Sequence, residues 1–167
     1  MQGFASMILG LAVMLGSANS ASAGSRAASA FERLKSLAGE WHGRDPEGNP
    51  VRVSYAVVSG GSALVETLAP AKEPSMVTVY HLDGDRLMMT HYCGSGNQPR
   101  MLAEVPAGEI QDLTFAFLDA TNLAKPSDGH MESLAFTFPD GDHVSQVWTW
   151  SEAGKKTETT FDLERKQ

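Results

Sequence analysis

The chain is poor in cysteine and in basic residues. Cys93 is the only cysteine in 167 residues, so no intramolecular disulfide can form. Outside the cytoplasm a lone thiol is either buried and inert or exposed and reactive. The 13 Lys and Arg are outnumbered by 20 Asp and Glu, which gives a formal net charge of -7 without a basic patch. This excludes the basic surface with which nucleic-acid-binding proteins contact phosphates.

Long apolar runs are absent after the first two dozen residues. The one such run, residues 7–15, is followed by small residues that end in Ala21-Ser22-Ala23. This pattern predicts a secretory signal peptide over residues 1–23 and a mature chain that begins at Gly24. The preceding segment lacks Lys and Arg, so an uncleaved N-terminal anchor is the alternative, although nine apolar residues are short for a membrane span. We therefore expect an exported protein, periplasmic or extracellular, that has no membrane contact after cleavage.

Motifs of common enzymes and dedicated metal sites are also absent. The chain has no G-x-S-x-G elbow, phosphate-binding glycine loop or dinucleotide fingerprint, so no catalytic residue is predicted. Neither H-x-x-x-H nor a pair of C-x-x-C motifs is present, and no metal ligand is predicted. Five histidines are present, and a haem needs only one proximal histidine, so that cofactor stays open.

One helix is predicted, over residues 27–37 in "SAFERLKSLAGEW". Ser29 and Glu32 have the spacing of a capping box, and Gly39 is expected to end the helix. The apolar residues of one helix face are Phe31, Leu34 and Leu37. Beyond this segment the hydrophobic period becomes two, which indicates strands.

About ten short antiparallel strands follow in one domain, residues 24–167. They are predicted at Trp41, 51–58, 63–68, 76–82, 86–93, 100–105, 110–120, 130–138, 143–151 and 156–165. An open sheet of that size would curl, and closing it removes the exposed edges. We therefore predict an all-β barrel of eight to ten strands with one N-terminal helix; a β-sandwich is the alternative.

Several motifs sharpen this choice. "GEWHG", residues 39–43, is similar to the G-x-W signature that opens lipocalin-type calycin barrels and to the opening of nitrobindin-like barrels. The ordered set "SGGSALVETL", "MVTVYHLDGDRL", "THYCGSGNQPRM", "ATNLA" and "DGHM" resembles a family of exported bacterial proteins that carry a calycin-like domain of unknown function. The resemblance implies a barrel with an interior cavity, and it brings no established activity or catalytic residues.

The densest group of polar residues is "THYCGSGNQPR", residues 90–100. On a strand, Met89, His91 and Cys93 share one face, but both faces carry apolar groups, so alternation does not show which face is inward. A two-residue hairpin loop at residues 84–85 would pair Thr78 with His91, whereas a bulged three-residue loop would shift that register by one. We predict that His91 and Cys93 face the cavity at the barrel mouth. The alternative is a strand end that continues into an ordinary polar loop without a functional role.

The following loop extends this predicted site. Asn97, Gln98 and Arg100 offer several hydrogen-bond donors, and Arg100 can bind a ligand carboxylate or pair with an acidic residue such as Asp119. A second polar segment, residues 119–131, places Asn122 in a long loop of the kind that usually surrounds a barrel mouth, and His130 opens the strand that follows; the alternative is a surface loop with a solvated His130. The predicted apolar wall consists of Met89, Phe115, Phe117 and Trp148, and Trp148 is equally explained as core.

These observations favour an exported small-molecule-binding barrel that holds a small, partly apolar ligand. An enzyme that uses Cys93 and His91 for hydrolase-like or redox chemistry is the first alternative. A filled barrel that binds another envelope protein through its outer surface is the second. The sequence names neither the ligand nor the oligomeric state.

Overall fold

The computed structural model describes residues 17–167, with side chains from Arg26 onward. The predicted signal peptide, residues 1–23, falls mainly outside the described residues and stays a prediction. The described part forms α1 (Ser17–Lys35), β1 (Gly39–Arg44), β2 (Pro50–Val58), β3 (Ala63–Pro70), β4 (Met76–Asp83), β5 (Arg86–Tyr92), β6 (Gln98–Glu104), β7 (Asp112–Thr121), β8 (His130–Thr137), β9 (His143–Glu152) and β10 (Lys155–Arg165). Within residues 17–167, no helix has both the length and the apolar character that a membrane span requires.

The strands form a closed antiparallel barrel. Each strand pairs with its neighbours in sequence, and β1 pairs with β10 to close the ring. The barrel prediction is confirmed, and the β-sandwich alternative is wrong. The β4–β5 hairpin has the predicted two-residue loop, since Asp83 pairs with Arg86 and Thr78 pairs with His91.

The helix starts earlier than the capping box at Ser29 indicated. It begins at Ser17, so Ser29 lies inside it. The preceding residues are rich in alanine, which has the highest helix propensity, and the helix therefore continues N-terminally past the predicted cap. The helix ends at Lys35, where the amides of Leu37 and Ala38 still donate to carbonyls of its last turn.

The helix covers one end of the barrel, here called the helix end, which also carries the connections 59–62, 84–85, 105–111 and 138–142. Arg33 reaches the last of these, and its Nη2 donates to the Asp140 carbonyl over 3.4 Å. The interior at this end is filled with fully buried side chains. They are Leu34, Trp41, Leu64, Tyr80, Leu87, Met89, Met101, Leu113, Phe115, Leu134 and Phe136.

The "GEWHG" segment has a structural explanation. The Trp41 indole is buried against the helix end, and its Nε1 donates to the Leu37 carbonyl over 2.7 Å. Gly43 lies where β1 and β10 approach closely, because a Cβ at this position would stand 2.1 Å from the Asp162 carbonyl oxygen. Any side chain at residue 43 would push these two strands apart. The motif therefore serves barrel closure.

The opposite end, here called the loop end, carries the connections 45–49, 71–75, 93–97, 122–129 and 153–154. The ladder between β7 and β8 stops at Ala116 and Ser133, so the two strands separate toward this end. The barrel is thus closed by packed side chains and a helix at one end, and surrounded by loops at the other.

Candidate functional site

A cavity of about 450 Å³ lies inside the loop end. Its rim includes exposed residues of two connections, Glu73 and Pro74 on one side and Gly94 and Ser95 on the other. Its wall is mainly aromatic, aliphatic and sulfur-containing. The wall side chains are Leu68, Met76, His91, Cys93, Met131, Trp148, Trp150, Thr157, Thr159 and Phe161. A space of this size, with an apolar wall and few polar groups, is typical of small-molecule sites.

His91 is the polar side chain of that wall with an unused nitrogen. It lies on β5 and is completely buried, with its ring 4.5 Å from the ring of Trp148. Its Nδ1 is hydrogen-bonded to the Thr78 hydroxyl at 2.9 Å, and its Nε2 has no hydrogen-bond partner among residues 17–167. Leaving a buried polar atom unpaired costs about 1–3 kcal/mol. A ligand that pairs with Nε2 would remove this cost.

Burial also sets the charge of this ring. Desolvation lowers the pKa of His91 from 6.5 to about 4, so the imidazole is neutral at physiological pH. No hydrogen bond joins His91 to Cys93, since Nδ1 is taken by Thr78 and Nε2 is unpartnered in the described part. The two side chains line one cavity without forming the thiolate–imidazole pair that nucleophilic catalysis requires.

A polar layer separates the cavity from the apolar helix end. Strand pairing places Tyr55, Glu66, Thr78 and His91 side by side across β2 to β5. The Glu66 carboxyl is fully buried and accepts hydrogen bonds from the Tyr80 hydroxyl at 2.5 Å and from Gln146 Nε2 at 2.9 Å. Desolvation raises the pKa of Glu66 from 4.5 to about 7. No ion pair joins it to a basic side chain in the part of the chain that the structure describes.

The amide of Gln146 is held in one orientation. Trp148 Nε1, which can only donate, lies 3.1 Å from Gln146 Oε1. The amide nitrogen therefore faces Glu66 and the Tyr55 hydroxyl, the latter at 2.5 Å. This network fixes the polar layer and positions the indole of Trp148 beside the cavity.

Three of the predicted site residues line the cavity: His91, Cys93 and Trp148. Met89 and Phe115 are completely buried, but they belong to the filled helix end and lie away from the cavity wall. His91 therefore faces the interior, as predicted, while two residues of the predicted apolar wall are core.

The loop amides and Arg100 are placed differently from the prediction. Arg100 lies exposed on the outer face, where it makes a bidentate ion pair with Asp119 across β6 and β7. Asn97 donates from Nδ2 to the Gly129 carbonyl at 2.8 Å, and Asn122 donates to the Gly96 carbonyl at 2.6 Å.

The Gln98 amide, like those of Asn97 and Asn122, makes hydrogen bonds to other groups of the protein. Its Nε2 donates to the Gly96 carbonyl, and its Oε1 accepts from the Thr121 hydroxyl. Together the three amides tie the 93–97 and 122–129 connections to each other. The alternative interpretation, in which amides satisfy turn backbone groups, is the one that describes these residues.

His130 and Phe117 pack against each other where β7 and β8 separate. Their ring centroids are 4.6 Å apart, and His130 is buried whereas Phe117 is partly exposed. His130 Nδ1 donates to the Asp128 carbonyl at 2.7 Å. Neither residue belongs to the cavity wall, so His130 and Phe117 lie outside the cavity that His91 lines.

The sequence analysis missed the polar layer and much of the wall. Glu66 carried a signal, because it alternates in phase with Leu64 and Leu68 and an acidic residue in that phase must be buried. Trp150 is positioned by Gly129, where an added Cβ would stand 2.1 Å from the indole ring. The close contact of Gly129 with Trp150 joins two segments that are separated in sequence, so no local sequence pattern indicates it.

A larger groove of about 760 Å³ crosses the outer surface of β1, β2, β9 and β10. It is lined by exposed side chains such as His42, Arg52 and Glu164. In residues 26–167, no group of three His, Cys, Asp or Glu side chains is placed to hold a metal ion. The loop-end cavity, with its buried unpartnered nitrogen, is therefore the better candidate site.

No family model matches the chain, and no curated protein matches it in sequence. Among solved structures, the chain is similar to the crystal structure of Rv2717c from M. tuberculosis, with a TM-score of 0.55 and 18% sequence identity. The match covers 83% of this chain and 98% of that chain. A likeness at this identity shows the fold alone. The closed ten-stranded antiparallel barrel itself fits a calycin-like fold, while membership of an exported calycin-like family stays a prediction.

Proposed function

We propose that this barrel binds a small, partly apolar molecule in the loop-end cavity, with His91 as its main polar contact. The observation that carries the proposal is the completely buried His91 ring, which lines a cavity of about 450 Å³ and whose Nε2 is unpartnered among the described residues. A stable protein leaves few such atoms unpaired unless they meet water or a ligand.

The wall defines the chemistry of the ligand. Two indoles and Phe161 favour a flat aromatic or unsaturated molecule, and three sulfur-containing side chains adapt to irregular shapes. No Lys or Arg lines the cavity in the described part, and Glu73 lies at its rim. We therefore expect a neutral ligand, since a carboxylate or phosphate would enter without a cation to pair with it.

The test is a titration with N-phenyl-1-naphthylamine, a neutral aromatic probe that becomes fluorescent in apolar surroundings. We expect saturable binding to the wild type and about tenfold weaker binding to His91→Phe, because one hydrogen bond of about 1 kcal/mol or slightly more is lost. The thermal midpoint of His91→Phe should fall somewhat, because the buried Thr78 hydroxyl loses its partner, so affinities are compared at a temperature at which both proteins are folded. Arg100→Ala, on the outer face, is the control and should bind like the wild type.

Absence of saturable binding would contradict the proposed function. If His91→Phe binds the probe as tightly as the wild type, His91 does not contribute to the binding site. Native mass spectrometry of the purified protein adds a direct identification, because a co-purified molecule, a haem included, would appear as a mass increment.

We also propose that the protein is exported and begins at Gly24. Support comes from the apolar run and Ala21-Ser22-Ala23 in the sequence. Intact-mass measurement of periplasmic material should give the mass of residues 24–167, and retention of residues 1–23 would contradict export with cleavage.

A further inference from the structure

Three side chains with nitrogen or sulfur donors lie next to one another on the β4–β5 hairpin. They are Met76, His91 and Cys93, and all three line the loop-end cavity. The register of the hairpin pairs Thr78 with His91, and continuing it by two residues sets Met76 opposite Cys93. Met76 Sδ lies 3.9 Å from the position of an added Cβ at Gly94, so it is beside the segment that contains Cys93. The three side chains are therefore neighbours in one part of the wall.

The spacing of these three positions suits a shared metal ion. Residues two apart on a strand have Cα atoms about 6–7 Å apart, and directly opposite residues have Cβ atoms about 4.5–5.5 Å apart. Nitrogen and sulfur ligands bind a metal at about 2.0–2.3 Å, so their donor atoms must come within about 4 Å of each other. The side chains of His91 and Cys93 reach such a point by leaning together, and the flexible Met76 side chain can follow them.

The hydrogen bonding of His91 leaves one ring nitrogen free for a metal. The ring is completely buried, and Nε2 has no hydrogen-bond partner among residues 17–167. Nδ1 lies 2.9 Å from the Thr78 hydroxyl, which can accept the Nδ1 hydrogen and so leave the lone pair on Nε2. Metal-binding histidines usually make a second hydrogen bond of this kind, because it fixes the ring and its tautomer. Thr78 is therefore in the place of a positioning residue for a metal-binding histidine.

We propose that Met76, His91 and Cys93 bind one soft monovalent cation, copper(I). A thioether, a thiolate and an imidazole are ligands that copper(I) accepts, whereas magnesium, calcium and manganese prefer oxygen ligands. When the ion binds, the Cys93 thiol releases its proton to water, so Cu⁺ and the thiolate together carry no net charge. The inference goes beyond the proposed function, because it assigns a second kind of ligand to the same wall and does not require the organic molecule.

Charge distinguishes copper(I) from zinc at this site. Glu73, at the exposed rim, is the one Lys, Arg, Asp or Glu among the residues that line the cavity in the described part of the chain. Zn²⁺ with a single thiolate would leave a net positive charge beside apolar side chains such as Trp148, and burying an unpaired charge is costly. Moreover, no three His, Cys, Asp or Glu side chains of residues 26–167 are placed to hold a metal ion. The cavity therefore favours the monovalent ion.

The test is an anaerobic titration of the purified protein with copper(I), in competition with the chromogenic chelator bicinchoninate and without the naphthylamine probe. We expect one copper(I) per chain and an ultraviolet charge-transfer band from the thiolate to copper. Thr78→Val, which removes the hydrogen bond to His91, should lower the affinity about 10- to 100-fold and keep the band. His91→Phe, which removes a ligand and keeps the thiol, should lower the affinity further.

The two sulfur ligands are tested in the same titration. Cys93→Ala should abolish the charge-transfer band, and Met76→Leu should weaken copper(I) binding while it conserves the side-chain volume. Met88→Leu is the matched control, because Met88 is buried on β5 but does not line the cavity, and it should bind copper(I) like the wild type. If His91→Phe fails to fold, Met76→Leu decides the question together with Met88→Leu.

Three results would overturn the inference. Loss of binding in Cys93→Ala with unchanged affinity in both His91→Phe and Met76→Leu would show a lone reactive thiol. One copper(I) per two chains would show a site between molecules, and zinc bound as tightly as copper(I) would contradict the argument from charge. Because no organic probe is present, failure of this titration leaves the proposed function intact, and failure of the naphthylamine titration leaves this inference intact.

Discussion

The two halves of the barrel interior follow different packing rules. At the helix end, aromatic and aliphatic side chains fill the space, and Tyr80, Phe115 and Phe136 have ring centroids 5.5 to 6.3 Å apart. At the loop end, similar side chains surround a cavity, and a layer of buried polar groups lies between the halves. The helix-end half is filled by packed side chains, whereas the loop-end half leaves a space that the proposed function assigns to a ligand.

The largest effect should come from Phe136→Ala in the filled half. Phe136 is 1% exposed and contacts three aromatic rings, so its removal leaves a void that rigid neighbours cannot close. We expect the free energy of unfolding to fall by about 3–5 kcal/mol in urea titration. Phe117→Ala is the matched control; its ring is 36% exposed, and a much smaller loss is expected. Equal losses would show that the two halves pack alike.

The polar layer should produce the next largest effect, as a dependence of stability on pH. Raising the pKa of Glu66 from 4.5 to about 7 favours folding at low pH, and this contribution is lost as pH rises through that window. Lowering the pKa of His91 from 6.5 to about 4 favours folding at high pH, and this contribution is lost as pH falls through its window. The two contributions oppose each other between about pH 4.5 and 6.5.

Substituting either Glu66 or His91 removes one titrating group, so the pH dependence of stability caused by the other group can be measured by itself. Glu66→Gln keeps only the His91 contribution, so its own free energy of unfolding should fall by roughly 3 kcal/mol as pH falls from 6.5 to 4. His91→Phe keeps only the Glu66 contribution, so its own free energy of unfolding should fall by a similar amount as pH rises from 4.5 to 7. Urea titrations across pH 4 to 8 measure both slopes, and slopes of the same sign would contradict the opposed contributions.

A smaller effect is expected at the loop end from Gly129→Ala. The added methyl group would collide with the rigid indole of Trp150, which must shift into the cavity or away from it. We expect a loss of about 1–3 kcal/mol in stability and a change in affinity for the naphthylamine probe. At Gly94, on the same rim, an added Cβ meets only ordinary contacts at 3.9 Å, so Gly94→Ala is the control. If Gly129→Ala and Gly94→Ala have the same stability and the same affinity for the probe, Trp150 does not contribute to ligand binding.

Most of the fold could be predicted because its signals are local. Alternation and turn residues located the ten strands, and the sequence Asp83-Gly84-Asp85 predicted the register that pairs Thr78 with His91. The helix start was wrong, because the alanine-rich segment before Ser29 competes with its cap.

The site was only partly predictable for the opposite reason. Arg100 and the loop amides have the same residue types whether they contact a ligand or each other, and the structure pairs Arg100 with Asp119. The network of Glu66, Tyr80 and Gln146 joins the β3–β4 hairpin to β9, and Gln146 lies 80 residues after Glu66. Which buried polar groups meet inside a barrel depends on strand tilt and closure, and these have no signature in a single strand.

Barrel closure also bears on how the chain folds. Trp41 of β1 pairs with Arg165 of β10, and the Arg165 guanidinium lies 4.3 Å from the centre of the Trp41 indole. The same side chain donates to the carbonyls of Ser36 and Ala38. The first strand therefore keeps an unpaired edge until the last strand has been synthesised. Contacts of such long sequence separation slow folding, and an incomplete sheet with an open edge is prone to aggregation, so closure of the barrel by β10 is the step that ends this exposure.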